Sequence, residues 1–121
     1  MPSPTPPDLR KRTFQFTCDL FDFCQDLACF PGVARYVAYQ LFRAGASVGA
    51  NLEEAKAAYS RKEFASKTAI SLKESREANY WLRVAEAKSL GSQSRRAHVL
   101  RESNELVAIL TSCVKRLQMS S

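Results

Sequence analysis

The chain has 121 residues, 45% of them hydrophobic, with 18 Lys and Arg against 12 Asp and Glu, a formal net charge of +6. That length fits one domain whose core can hold without disulfide or metal staples, and the positive balance favours acidic partners such as nucleic acid. No apolar run is long enough to span a membrane, and the N-terminus lacks the apolar stretch of a secretory signal, so a cytoplasmic setting is expected.

Four of the five prolines fall in Met1–Pro7, and residues 1–9 are expected to form a disordered, Pro-rich tail with nothing to bury. The first helix is expected over residues 10–29. Phe14, Phe21 and Ala28 repeat at seven, with Thr17 and Cys24 offset by three, which reads as the core-facing seam. Phe16, Leu20, Phe23 and Leu27 lie outside it and would form a second apolar face, of the kind a subunit contact covers. Three of the four cysteines, Cys18, Cys24 and Cys29, crowd this helix, and the fourth is Cys113. No C-x-x-C occurs, so reduced, buried thiols are expected.

Phe30-Pro31-Gly32 breaks the chain, and a second helix is expected over residues 31–59 with proline in its first turn. Val33, Val37, Leu41, Ala44, Val48, Leu52 and Ala55 keep the three-to-four spacing of an inner face. Gly45 and Gly49 form a G-x-x-x-G, each costing about 1 kcal/mol relative to alanine in a helix. Close approach of a neighbouring helix would explain both. Arg43, Glu53, Glu54 and Lys56 exclude the membrane-dimer reading of that motif.

Ser60-Arg61-Lys62-Glu63 is a capping box and opens a third helix over residues 61–90. Phe64, Thr68, Ser71, Ser75, Ala78, Leu82 and Ala85 make its inner stripe, Glu63 and Lys67 form an i,i+4 pair, and Gly91 suits the position after the helix end. The fourth helix is expected over residues 93–118, with Val99, Ser103, Leu106, Leu110, Cys113 and Leu117 inside. No strand pattern appears. Four long helices joined by short loops predict an all-α fold, an antiparallel up-down-up-down four-helix bundle over residues 10–119.

Catalytic patterns are missing. The one histidine, His98, has Arg95 three residues before it, so the Glu-x-x-His pair of di-iron bundles cannot form. There is no H-E-x-x-H, G-x-S-x-G or phosphate loop, and Cys113 has no histidine partner to activate it. No enzyme activity, cofactor or metal site is expected.

Arg43, Ser47, Asn51 and Glu54 form a polar stripe beside the apolar face of the second helix, and the third offers Glu74, Glu77 and Asn79. Three readings stand open: a solvated surface, a ligand pocket, or a partly buried hydrogen-bond network. The network would need an arginine or amide against each carboxylate. Basic residues gather at helix ends: Arg10, Lys11 and Arg12; Arg61 and Lys62; Arg95 and Arg96; Lys115 and Arg116. In an up-down bundle the first three and the next two share one end and can converge, while Arg95 and Arg96 lie at the other. All nine are candidate phosphate contacts; a solvated surface is the alternative.

The pattern Phe30-Pro31 … Tyr36 … Gln40-Leu41 … Arg43-Ala44 … Ser47-Val48-Gly49-Ala50-Asn51-Leu52-Glu53-Glu54-Ala55, with Phe64 and then Ser75-Arg76-Glu77 before Tyr80-Trp81-Leu82, resembles a known family. These are the bacterial four-helix bundle proteins encoded in intervening sequences of 23S rRNA genes. The likeness covers about residues 13–118. Two positions depart from it: Ala55 stands where the family usually has glycine, and Ser71 where alanine is typical. The resemblance implies an antiparallel bundle, assembly as a homopentamer, and suspected RNA or DNA binding, with the molecular role largely unassigned. A similar bundle is the accessory protein of diversity-generating retroelements, a basic pentamer that engages reverse transcriptase and nucleic acid. By position Ser47, Asn51, Glu54 and Glu77 are the family's signature polar residues, and the resemblance gives them no ligand. The expectation is a non-enzymatic, homo-oligomeric bundle that binds rRNA or DNA; the alternative is a protein–protein adaptor, such as a partner of a reverse transcriptase. Five copies would carry a net charge of about +30, a strong field for phosphate.

Overall fold

The computed structural model describes residues 8–119. Of the expected tail, residues 1–7 lie outside the described residues, whereas Leu9 is buried and opens the first helix. Four helices follow in order: α1 Leu9–Ala28, α2 Val33–Lys56, α3 Arg61–Ala87 and α4 Gln93–Met119. The fold is all-α, with no strand among the described residues.

Each helix packs on the next and α4 closes on α1, while the backbones of the diagonal pairs stay more than 8 Å apart, Cα to Cα. Facing residues step in opposite directions along neighbouring helices. On α1 and α2, Thr13 meets Gly49 and Leu20 meets Gly45. On α2 and α3, Glu54 meets Lys67, Val48 meets Ser71 and Arg43 meets Glu74. On α3 and α4, Asn79 meets Ser103 and Glu86 meets Arg96.

The largest departure from the sequence reading is in α1. Its buried stripe is Leu9, Thr13, Phe16, Leu20, Phe23 and Leu27, while Phe14 and Phe21 are 69% and 51% exposed. The expected outer face therefore turns inward, and of the expected seam Cys24 alone is buried. Both stripes keep heptad spacing, so periodicity alone cannot rank them. The stripe that turns inward carries three leucines and two phenylalanines, more apolar area than Phe14, Phe21, Ala28 and their partners, and the greater burial favours that rotation.

In α2 the stripe from Val37 to Ala55 is buried as the spacing predicts, but Val33 is exposed at the first helical residue. Gly32, at φ +86°, is the N-cap, so Pro31 precedes the cap instead of entering the first turn. The two glycines do mark close approach. A Cβ on Gly45 would lie 2.1 Å from Leu20 Cδ2, and one on Gly49 would lie 3.3 Å from Thr13 Oγ1.

Ser60 Oγ accepts from Glu63 N–H at 3.0 Å, and Glu63 Oε2 accepts from Tyr59 N–H at 3.0 Å, one residue ahead of the N-cap amide. Lys67 turns away from Glu63 and donates to Glu54 on α2 at 2.8 Å, and that hydrogen bond raises the Lys67 pKa. The inner stripe of α3 is small and hydroxylated, and its hydroxyls are satisfied: Ser71 donates to Val48 O at 2.8 Å, Thr68 to Phe64 O at 2.8 Å and Ser75 to Leu72 O at 2.7 Å. The helix stops three residues earlier than expected. Ser89, not Gly91, takes the left-handed position after the cap, at φ +54°. Ser89 N–H reaches Glu86 O and Leu90 N–H reaches Ala85 O, closing a Schellman turn. Val99, Ser103, Leu106, Leu110 and Cys113 are buried on α4.

Candidate nucleic-acid interface

The basic residues at the helix ends do not form one patch. Arg10, Lys11, Arg61, Lys62, Lys115 and Arg116 share an end of the bundle, but α1 and α3 stand on its diagonal with their Cα atoms more than 8 Å apart. Arg61 and Lys62 instead line a cleft of about 430 Å³ with Ala65, Ala69, Val114 and Leu117, between the start of α3 and the end of α4. Arg10 pairs with Glu53 at 3.0 Å.

Arg12 and Arg95 belong to a different structure, a charged ladder that joins α1 to α4. Arg12 donates from Nε to Glu102 Oε2 at 3.2 Å and from a terminal nitrogen to the other oxygen; this bonding raises its pKa. One turn-pair further along α1, Asp19 meets His98 Nε2 at 3.0 Å, and Asp26 then meets Arg95. Arg96 corrects the sequence reading outright, because it is only 4% exposed. Its guanidinium donates to Leu90 O at 2.7 Å and Gly91 O at 3.3 Å. Its Nε lies 3.5 Å from Glu86 Oε2, near enough for charge attraction but without a hydrogen bond. A buried arginine capping the α3–α4 turn is not available to phosphate.

The polar stripe of α2 is a hydrogen-bond network. Arg43 reaches across to α3, donating to Glu74 Oε2 at 3.3 Å and to Glu77, while Trp81 Nε1 donates to Glu77 at 3.1 Å. Glu74 is nearly buried and needs that cation, since an unpaired carboxylate there would be costly. Ser47 donates to Arg43 O and Asn51 to Ser47 O, both at 2.8 Å and both inside α2, and Glu54 holds Lys67. Ser47, Asn51, Glu54 and Glu77 thus have partners within the bundle, and the pairs that cross, Glu54 with Lys67 and Glu77 with Arg43, fix the register of α2 on α3.

A basic feature that the helix-end runs hide lies on the outer face of α3. Lys62, Lys73, Arg76 and Arg83 are exposed on one stripe, with Ser66, Ala69 and Tyr80 between them and no acid. None of the four has an ion pair among the described residues, although Arg83 lies 5.7 Å from the centre of the Tyr80 ring. From Lys62 to Arg83 the helix rises about 31 Å. The signal was present as spacings of three and seven without an acid, but no two of these residues are adjacent in sequence.

Two exposed phenylalanines of α1, Phe14 and Phe21, stand among polar residues such as Gln15 and Asp22. Phe21 meets Phe42 of α2 edge to face at 5.9 Å. Phe14 and Thr17 line a cleft of about 180 Å³ with Ala46, Gly49 and Ala50. Among the thiols, Cys18 and Cys29 are exposed, against the expectation, and Cys24 and Cys113 are buried. No group of three metal-ligating side chains occurs among the described residues, and no helix is long and apolar enough to cross a membrane.

The chain matches no curated protein. It is similar to a crystal structure of a protein of unknown function from the S23 ribosomal protein family of Bacteroides thetaiotaomicron. The two share 28% identity and a TM-score of 0.78 over 88% of this chain and 98% of that one. A family model described as 23S rRNA-intervening sequence protein matches residues 8–112. With that match covering the first three helices and most of α4, the chain belongs to the 23S rRNA-intervening sequence protein family.

Proposed function

We propose that this protein is a non-catalytic, basic bundle that binds nucleic acid, RNA or DNA, through the phosphate backbone. The observation that carries the reading is the acid-free stripe of Lys62, Lys73, Arg76 and Arg83 on the outer face of α3. Cations held in internal ion pairs are already neutralised. These four are not, and a row of them along one helix suits a polyanion. The proposed contact therefore moves from the helix ends to α3, with Lys11 and Lys115 as exposed additions. Filter binding with rRNA fragments and duplex DNA at two salt concentrations tests it. Affinity is expected to fall steeply with salt, with a log–log slope of about −0.9 per phosphate neutralised on duplex. Lys73→Glu with Arg76→Glu should weaken binding and flatten that slope, whereas Arg95→Glu should change little. Absence of binding at low salt refutes the reading.

A second proposal concerns assembly. Phe14 and Phe21, with Phe42, Ala46 and Ala50, give α1 and α2 an apolar outer face of the sort that a protein contact covers. Copies of the chain are the proposed occupant, in keeping with the pentamer that the resemblance implies. Light scattering should give a multiple of the 13.6 kDa chain, and Phe21→Glu should shift it toward monomer. A monomeric wild type would refute self-association and favour the adaptor reading, with an unlike protein such as a reverse transcriptase on this face.

A further inference from the structure

Three aromatic side chains meet on the surface beside the basic stripe. Tyr36, near the start of α2, packs edge to face on Trp81 with centroids 6.0 Å apart, and Tyr80 packs edge to face on the same indole at 5.3 Å. Tyr36 and Tyr80 are 56% and 51% exposed. Arg83 sits over Tyr80, and Lys73 and Arg76 lie on the same outer face of α3, two turns and one turn before Tyr80. The acids closest to this group do not make it negative, because Arg43 pairs with both Glu74 and Glu77 and the indole N–H also binds Glu77.

We infer that this patch takes unpaired bases, so that the nucleic acid bound is a single strand. The inference rests on the nucleic-acid reading above and deepens it. A stripe of cations alone does not distinguish duplex from single strand, since both present phosphates. Exposed aromatic rings do. A duplex hides its base faces within the stack, whereas a single strand offers them, and bases stack on aromatic side chains with little regard to sequence. From Lys73 to Arg83 α3 rises about 15 Å, room for a short run of nucleotides whose phosphates follow the cations while bases turn onto Tyr80 and Tyr36. The Trp81–Glu77–Arg43 chain fixes the indole against which both tyrosines lean, so the rings are held in place before any strand arrives.

Trp81 is the only tryptophan, which makes the patch directly observable. The full-length protein is titrated at low salt with an oligouridylate, a single-stranded DNA of equal length, and a duplex of equal length, reading Trp81 emission and filter binding together. Both single strands should quench the emission and bind about tenfold or more tightly than the duplex. Tyr80→Ala and Tyr36→Ala should each cost about tenfold on single strands and little on duplex. Tyr80→Phe, which keeps the ring, should bind as wild type, separating stacking from any loss of fold. Duplex binding equal to single-strand binding, or single-strand binding that leaves the emission unchanged, overturns the base-stacking inference while the backbone reading stands. No binding of any probe overturns both.

Discussion

Gly45→Ala offers the sharpest test of the α1–α2 contact. The added methyl would sit 2.1 Å from Leu20 Cδ2 and 3.5 Å from Phe16 Cε2, where carbon atoms prefer about 3.5–4.0 Å. Leu20 is fully buried, so its methyl cannot swing into solvent. It must change rotamer inside a filled core, or α1 must move outward. Overpacking of this kind costs about 1–3 kcal/mol, against about 1 kcal/mol gained from replacing glycine by alanine in a helix. The expected net is a destabilisation of about 1 kcal/mol, a drop of about 3–6 °C in Tm for a chain of this size. In a Leu20→Ala background the obstruction is gone and the same substitution should stabilise by about 1 kcal/mol. The sign change implies a coupling of about 2 kcal/mol. The assay is urea unfolding followed by far-UV circular dichroism on all four proteins of the cycle, at one protomer concentration because assembly would couple to stability. If Gly45→Ala raises stability equally in both backgrounds, the two helices do not approach as described.

Arg96→Met keeps the apolar length of the side chain but removes its bonds to Leu90 O and Gly91 O; it should cost about 1–3 kcal/mol in urea unfolding, and unchanged stability would mean the turn needs no cap. Labelling with a thiol reagent at neutral pH should modify Cys29 quickly and leave Cys24 and Cys113 untouched until denaturant is added, since burial pushes Cys24 up to about 12 and also raises Cys113. Cys18, between Phe14 and Phe21 on α1, should label faster on dilution if copies associate through that face. Because the folded Cys24 thiol stays neutral where the unfolded one ionises near 9, its contribution to stability is complete below that pH and is lost as pH rises toward about 12. Unfolding midpoints above and below pH 9 should fall less in Cys24→Ala.

How much was legible varied with what each pattern depends on. The inner faces of α2 and α4 follow from spacing because one long apolar stripe on each outweighs the shorter one beside it. Ser60 and Glu63 are equally local, and the Ser60 cap forms as expected while the return bond from Glu63 falls one residue early, on Tyr59 N–H. In α1 two apolar stripes compete, and the choice depends on helices that a periodicity within α1 does not contain. The helix-end arginines misled for a related reason. Arg12, Arg95 and Arg96 look free in sequence, but their partners Glu102, Asp26 and Leu90 O come from tertiary register or a turn geometry. Ser89 took the left-handed position ahead of Gly91 because the α3 hydrogen bonds close two residues sooner than glycine alone indicates.

The ladder between α1 and α4 bears on how the chain comes together. Arg12 and Glu102 are separated by ninety residues, so this seam closes the longest loop in the bundle and gives up the most chain entropy to do so. The neighbouring pairs, joined through short turns, can zip without it. What meets at the last seam is a row of polar pairs in register: the ion pairs Arg12 with Glu102 and Asp26 with Arg95, and between them Asp19 against the His98 ring nitrogen. A helix slid by one turn would break the two-pronged Arg12–Glu102 bond, although Arg12 also has Glu105 within 3.8 Å. The ladder acts as a guide to alignment more than as a source of adhesion, favouring the height at which Arg12 grips Glu102 with both nitrogens.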